Sequence, residues 1–319
     1  MTIMKKLIIA LSLVFVAITS CGGNTTPQEK PGHQQSQATV SQRADLSASN
    51  DLSAGYTLSV THKGDSAHIE RLLHEGAAQP DGTNLPLFFA RHFKGYPYVA
   101  FTLDQNREEQ LVINTEGLDC TTFVENVLAL TICVKRQLNT FHDFCDVLTQ
   151  VRYIKGKVAY TSRQHYFTTW IADNLADSLI EEIQLPKPPM SATRKANVNY
   201  MTTHVESYKM LSAHPQWVPA IREMEKQVNN ISFTYVPKAQ LRDSNKYRDY
   251  IHDGDIIGIV TNKKGLDISH VGFAVWHADG LHLFNASSLH KKVVDEPMTL
   301  YQYLLKQTSS VGIRVVRIK

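Results

Sequence analysis

Cys120, His270 and Asn285 are the residues of this chain whose types and settings could together carry out covalent chemistry. Cys120 stands where a polar loop, Asn114-Thr115-Glu116-Gly117, gives way to a run with Phe123, Val124, Val127, Leu128 and Ile132 at helical spacing. Asp119 can cap that helix and put Cys120 in its first turn; Thr122, with Glu125 completing a capping box, can cap it instead, and the sequence leaves both open. The placement matters because the thiolate, not the thiol, attacks a carbonyl. The positive end of a helix and its unpaired N–H groups lower a thiol pKa and can hold an oxyanion. Against this stands the commoner buried cysteine that only packs. A base on another element has to separate the two.

His270 lies near the start of a strand-like run, Ile268 to Trp276, and Asn285 lies in the next one, Leu281 to Ser288. If residues 277–280 form the turn, Trp276 faces Leu281, His270 faces Ser287, and Asn285 is a diagonal neighbour of His270 on the same face. An imidazole needs a partner on its second nitrogen to fix its tautomer, and an amide oxygen supplies one. His282 is a rival for that role, but its spacing from Asn285 puts the two on opposite faces of a regular strand, and the register favours Asn285. A cysteine at a helix start, a histidine on a strand and an asparagine on its neighbour make a nucleophile, a base and an orienter. Residues 162–171, dense in aromatic and basic groups, read either as a core cluster or as a substrate wall where Arg163 and His165 meet a polar ligand.

Periodicity predicts helices over 65–78, 85–94, 120 to about 135, 141–151 and 174–184, with extended runs at 98–103 and 111–113. Pro186, Pro188 and Pro189 mark a break. Residues 201–227 read as a mostly helical, polar insertion packed outside the core. The last third turns to strands at 251–260, 268–276, 281–288 and 311–318, several joined by tight turns, which argues for an antiparallel sheet. A helical half before a stranded half makes the chain α+β, with residues 56–319 as one domain and a hydrophobic content of 43%, enough for a sizeable core.

The N-terminus carries Lys5 and Lys6, then an apolar run from Leu7 to Ile18 that is too short to span a membrane as a helix. Its end, Ile18-Thr19-Ser20-Cys21, resembles the lipobox of a bacterial lipoprotein. The resemblance implies that residues 1–20 are a signal peptide and that Cys21 is lipidated. Residues 22–55 are polar, without aromatic side chains, and read as a disordered tether running on from Cys21. Loss of Lys5 and Lys6 lowers the formal net charge from +3 to +1, and no basic cluster invites nucleic acid. Membrane attachment is expected through lipid rather than a charged face. Cys133 and Cys145 read as two buried thiols, a disulfide between them being the other reading. No cysteine or histidine spacing marks a zinc site, so no metal or cofactor is expected.

Asp119-Cys120-Thr121-Thr122-Phe123, followed far downstream by Ser269-His270-Val271-Gly272, resembles the NlpC-type cell-wall hydrolases, a papain-like superfamily. In that pattern the third position, matched here by Asn285, is often histidine; the exchange keeps a hydrogen-bond acceptor. Further marks are similar to the N-acetylmuramoyl-L-alanine amidase-like branch: Gly95 to Val99, Leu111 to Asn114, Leu118 to Glu125, Arg163 to Phe167 with Trp170, Gly254 to Ile257 and Asp267 to Gly272. The resemblance implies a papain-like fold with the nucleophile at a helix N-terminus, and hydrolysis of the amide between a muramic lactyl group and L-Ala through a thioester. It implies small, 1,6-anhydro included, muropeptides as substrates. Asp119, Thr121, Arg163, His165, Tyr166 and Ser269 are then candidate substrate contacts, in a monomer facing the periplasm from the outer membrane. Cleavage between γ-D-Glu and the diamino acid, and binding of fragments without cleavage, are the alternatives.

Overall fold

The structure, a computed structural model, describes residues 56–319; the expectations for the signal peptide, Cys21 and the tether fall outside these residues. The first half runs β1 (Leu58–Val60), α1 (Asp65–Ala77), α2 (Leu85–His92), β2 (Leu111–Ile113), α3 (Cys120–Lys135), α4 (Phe141–Arg152) and α5 (Phe167–Ala176). The middle holds β3 (Ile180–Glu182), β4 (Ala192–Lys195), α6 (Tyr200–Thr203), α7 (Lys209–Ala213), α8 (Val218–Val228) and β5 (Ser232–Pro237). Then come β6 (Ile256–Thr261), β7 (Ile268–His277), β8 (Gly280–Ser287), β9 (Lys292–Asp295), α9 (Leu300–Lys306) and β10 (Ser310–Ile318).

The α+β architecture holds. The large sheet runs β4-β5-β10-β6-β7-β8-β9, with β3 also beside β10, and its pairings are antiparallel. Alternation along the central strands divides their side chains between two layers. Ile257, Ile259, Ala274 and Leu283 pack with Leu300 and Leu304 of α9. Ile256, Val260, Phe273 and Phe284 join the larger core, to which α3 belongs. Phe123 of α3 meets Phe273 edge-on at 5.5 Å and stacks on Phe284 at 6.1 Å between ring centroids. These aromatic contacts fix α3, which begins at Cys120, on the strands that carry His270 and Asn285.

Helix α3 is buried nearly all round, Glu125 and Asn126 included. Glu125 tolerates this because Arg152 of α4 donates to it at 2.7 Å, while the same guanidinium donates to the Val112 carbonyl at 2.8 Å. Cys133 and Cys145 are free buried thiols.

Three expectations need correcting. Residues 174–184 are not one helix: α5 ends at Ala176, Ser178 turns at φ 57°, and Ile180–Glu182 becomes β3 against β10. The extended run at 98–103 is cut short by Phe101 at φ 62°, after which Thr102–Asp104 is a 3-10 turn. The insertion at 201–227 does not lie outside the core, for Met201, Met210, Leu211, Ile221 and Met224 are buried in it. Its longest helix, α8, buries Ile221, Met224, Glu225 and Val228 at helical spacing, so its periodic face is turned into the core.

Candidate active site

Asp119 is the residue that caps α3. Its Oδ1 accepts from the Thr122 N–H at 2.8 Å, and its own N–H donates to Thr122 Oγ1 at 3.0 Å, a reciprocal capping box. Cys120 is therefore the first helical residue, 1% exposed, beside the free N–H groups of the helix start. Across from it, the β7–β8 register sets Trp276 opposite Leu281, as the hairpin pattern predicts. His270 is 8% exposed and Asn285 is sealed. Nε2 of His270 donates to Asn285 Oδ1 at 2.9 Å, and the Asn285 amide is aimed by donating to the Leu283 carbonyl. This pairing leaves Nδ1 as the basic nitrogen of a neutral ring. Close strand approach is needed here, and Gly272 permits it: a Cβ at that position would lie 2.6 Å from the Phe284 carbonyl oxygen and 2.9 Å from Asn285 Cβ.

Cys120, Asp119, Thr121, Arg163, His165, Tyr166 and His270 all line one cleft. Ser269 does not line it; as a neighbour of His270 on a strand it faces the other way, donating to the Ile259 carbonyl. His282 also stands apart, bonded to Asp279 and the Glu296 carbonyl. Arg163 is committed to Asp104 at 2.6 Å, with Glu109 at 3.6 Å. His165 donates Nε2–H to the Tyr160 carbonyl at 2.7 Å. Burial, and then Arg163, push its pKa down to about 3, so it is neutral at physiological pH. Tyr166 donates to Glu225 and accepts from the Met201 N–H, tying α5 to the 196–228 segment.

The helix start does not leave Cys120 ionised at rest: burial first, then Asp119, push the thiol up to about 12, against the opposing pull of the Val271 N–H. Burial lowers the pKa of His270, and Asn285 opposes that. The thiol and the imidazole that line the cleft are thus both neutral at rest, so any reaction through Cys120 would begin with proton transfer rather than from a preformed thiolate. Tyr98 and Tyr303, neither of them singled out from sequence, complete the surroundings. Tyr303 stacks on His270 with ring centroids 6.2 Å apart. The Tyr98 hydroxyl is buried without a partner among the described residues, and its pKa is raised by burial and then by Cys120 and Asp119. Tyr98 sits inside a recognised sequence mark, but only its placement near Cys120 distinguishes it. Among the described residues no cluster of three or more histidine, cysteine or acidic side chains could hold a metal, and no helix is long and apolar enough to cross a membrane.

This mixed helix and antiparallel-sheet architecture is similar to that of solved amidase structures. A Bacteroides uniformis N-acetylmuramoyl-L-alanine amidase is 36% identical, with TM-score 0.68, over 77% of this chain and 99% of its own. A Bacteroides fragilis structure with a provisional xylanase name is 38% identical, with TM-score 0.67, over 73% and 100%. A Legionella pneumophila protein, LPG0564, shares the fold at 24% identity and TM-score 0.60, over 79% and 94%. No functionally curated protein matches. The chain belongs to the AmiA-like family, described as N-acetylmuramoyl-L-alanine amidase-like, whose model matches residues 88–313.

Proposed function

We propose that the chain is a cysteine-type N-acetylmuramoyl-L-alanine amidase of the NlpC-type, papain-like kind. The observation that carries this is the His270–Asn285 hydrogen bond, in the same cleft as a cysteine at a helix start. In the mechanism, Nδ1 of His270 takes the thiol proton as Sγ of Cys120 attacks the lactyl carbonyl. The oxyanion faces N–H groups at the start of α3. His270 returns the proton to the departing L-Ala amine, then deprotonates a water that hydrolyses the thioester. Asn285 holds the imidazole in the required tautomer.

The substrates are small muropeptides, 1,6-anhydro forms included. The lipobox-like Ile18 to Cys21 supports lipid anchoring, and the proposal places the chain as a monomer on the periplasmic face of the outer membrane. A glycosidase reading, brought by the provisional xylanase name, requires a pair of carboxyl groups flanking a glycosidic bond. The cleft's carboxylates are instead engaged: Asp104 by Arg163, Asp119 by Thr122, Glu125 by Arg152, and Asp267 by the Thr168 and Ile268 N–H groups. Mass spectrometry of defined muropeptides after incubation with residues 56–319 tests the amidase. Free stem peptide beginning with L-Ala is the expected product; a cut after D-Glu would transfer the reading to the endopeptidase, and no cut to a binding protein.

The protonation states set the pH profile. His270 titrates below the ordinary histidine value of about 6.5, so the base remains available in mild acid. The acid limb of kcat/KM is expected below that value. With the thiol up at about 12, no alkaline limb is expected through pH 9 or so. A bell with an alkaline limb near neutrality would instead point to a thiolate–imidazolium pair.

A further inference from the structure

The hydrogen bond to Asn285 fixes one atom of the His270 ring, Nε2. The backbone fixes another, Cβ. The β6–β7 ladder steps from Ile259–His270 to Val260–Ile268, leaving Ser269 as the extra residue of a bulge, and such a bulge re-aims the neighbouring side chain. Two anchored points still leave the ring plane free to swing about the line between them, and that swing carries Nδ1 with it. A third restraint has to act on the face of the ring. Tyr303 of α9 lies there: the two rings stack at 30° with centroids 6.2 Å apart, and Tyr303 is itself 6% exposed. The phenol is not what anchors α9. Leu300 and Leu304, both sealed, dock that helix in the core beneath the sheet, and a capping box between Thr299 and Gln302 starts it.

We propose that Tyr303 is a positioning residue for His270, the face restraint that holds Nδ1 in place and keeps water off the imidazole. The kinetic consequence rests on the amidase reading; the restraint itself is a property of the fold. No charged side chain takes over the task of setting the ring's protonation. From β6 and β8 the ring meets Ile259 and Asn285, which do not titrate. Cys120 of α3, Tyr98 and Tyr303 are neutral at physiological pH. Glu296, the acidic group that acts on Tyr303, is bonded by His290 at 3.2 Å. Burial lowers the His270 pKa and the Asn285 bond opposes it, so whatever seals the ring governs its titration.

The test compares Tyr303→Leu with Tyr303→Phe in the full chain. An NMR titration of the histidine Cε1–H signals follows the ring directly, with His270 assigned through a His270→Gln variant. Tyr303→Leu should raise the His270 midpoint toward the ordinary value of about 6.5, whereas Tyr303→Phe, which keeps the aromatic face, should leave it where the wild type has it. The acid limb of kcat/KM should move with the midpoint. On muropeptides Tyr303→Leu should lower kcat about tenfold to a hundredfold with KM nearly unchanged, as expected for a displaced base, and Tyr303→Phe should stay near wild type. Tyr303→Met carries the same expectations and replaces Tyr303→Leu if that variant does not fold. An unmoved midpoint in the aliphatic variant, equal movement in both variants, or wild-type kcat in the aliphatic variant would overturn the assignment. If the wild type releases no stem peptide while the midpoint moves as expected, the amidase reading fails and the positioning of His270 by Tyr303 stands.

Discussion

Cys120→Ala is expected to lower kcat on muropeptides by on the order of 10^4-fold or more, because no other group lining the cleft is placed to form the thioester. His270→Ala should cost about as much, and the double variant little more, since nucleophile and base act as one unit. The fold should survive the cysteine change. Cys120 contributes only a small buried side chain, while the cap that starts α3 comes from Asp119 and Thr122. Release of stem peptide, followed by mass spectrometry beside thermal melting of the same preparations, separates chemistry from folding. A Cys120→Ala protein that keeps a tenth of wild-type turnover would remove Cys120 from the mechanism.

The largest stability effect is expected at Arg152. Arg152→Met should destabilise the fold by about 3–5 kcal/mol, because it strands the buried Glu125 carboxylate at the cleft wall. The Val112 carbonyl loses its donor in the same step. Glu125 already has its pKa raised by burial, with Arg152 as the principal opposing influence. Without Arg152 the carboxyl takes up a proton rather than remain charged. The double variant Glu125→Gln with Arg152→Met should recover much of the loss, since neutral groups of similar size replace both ions. Denaturant unfolding of the single and double variants measures both quantities. A loss below about 1 kcal/mol for Arg152→Met would show that the pair is not structurally important.

The reach of sequence reasoning follows from which features are local. The start of α3 was legible because capping is written within a few residues, although choosing Asp119 over Thr122 took the hydrogen bonds themselves. The β7–β8 hairpin was legible because a tight turn and strict alternation leave one register that buries the apolar set. From that register alone Asn285 could be preferred to His282. Partners distant in sequence were not legible. Nothing near Glu125 announces Arg152, and nothing near Tyr208 announces a cleft, because contact order rather than pattern brings them together. The thiol's protonation is not legible for a related reason. The helix start is local, but the burial that outweighs it comes from strands more than a hundred residues downstream.

The position of β10 constrains when the molecule can work. This strand lies between β5 and β6, in the interior of the sheet, yet its residues 310–318 are synthesised after all the others in that sheet. Until they emerge from the ribosome, β6 has β7 on one side and an open hydrogen-bonding edge on the other. Cys120, His270 and Asn285 have all been translated by then, but the layer beneath two of them is still missing its central rod. The sheet that carries His270 and Asn285 is therefore completed only after both have been translated.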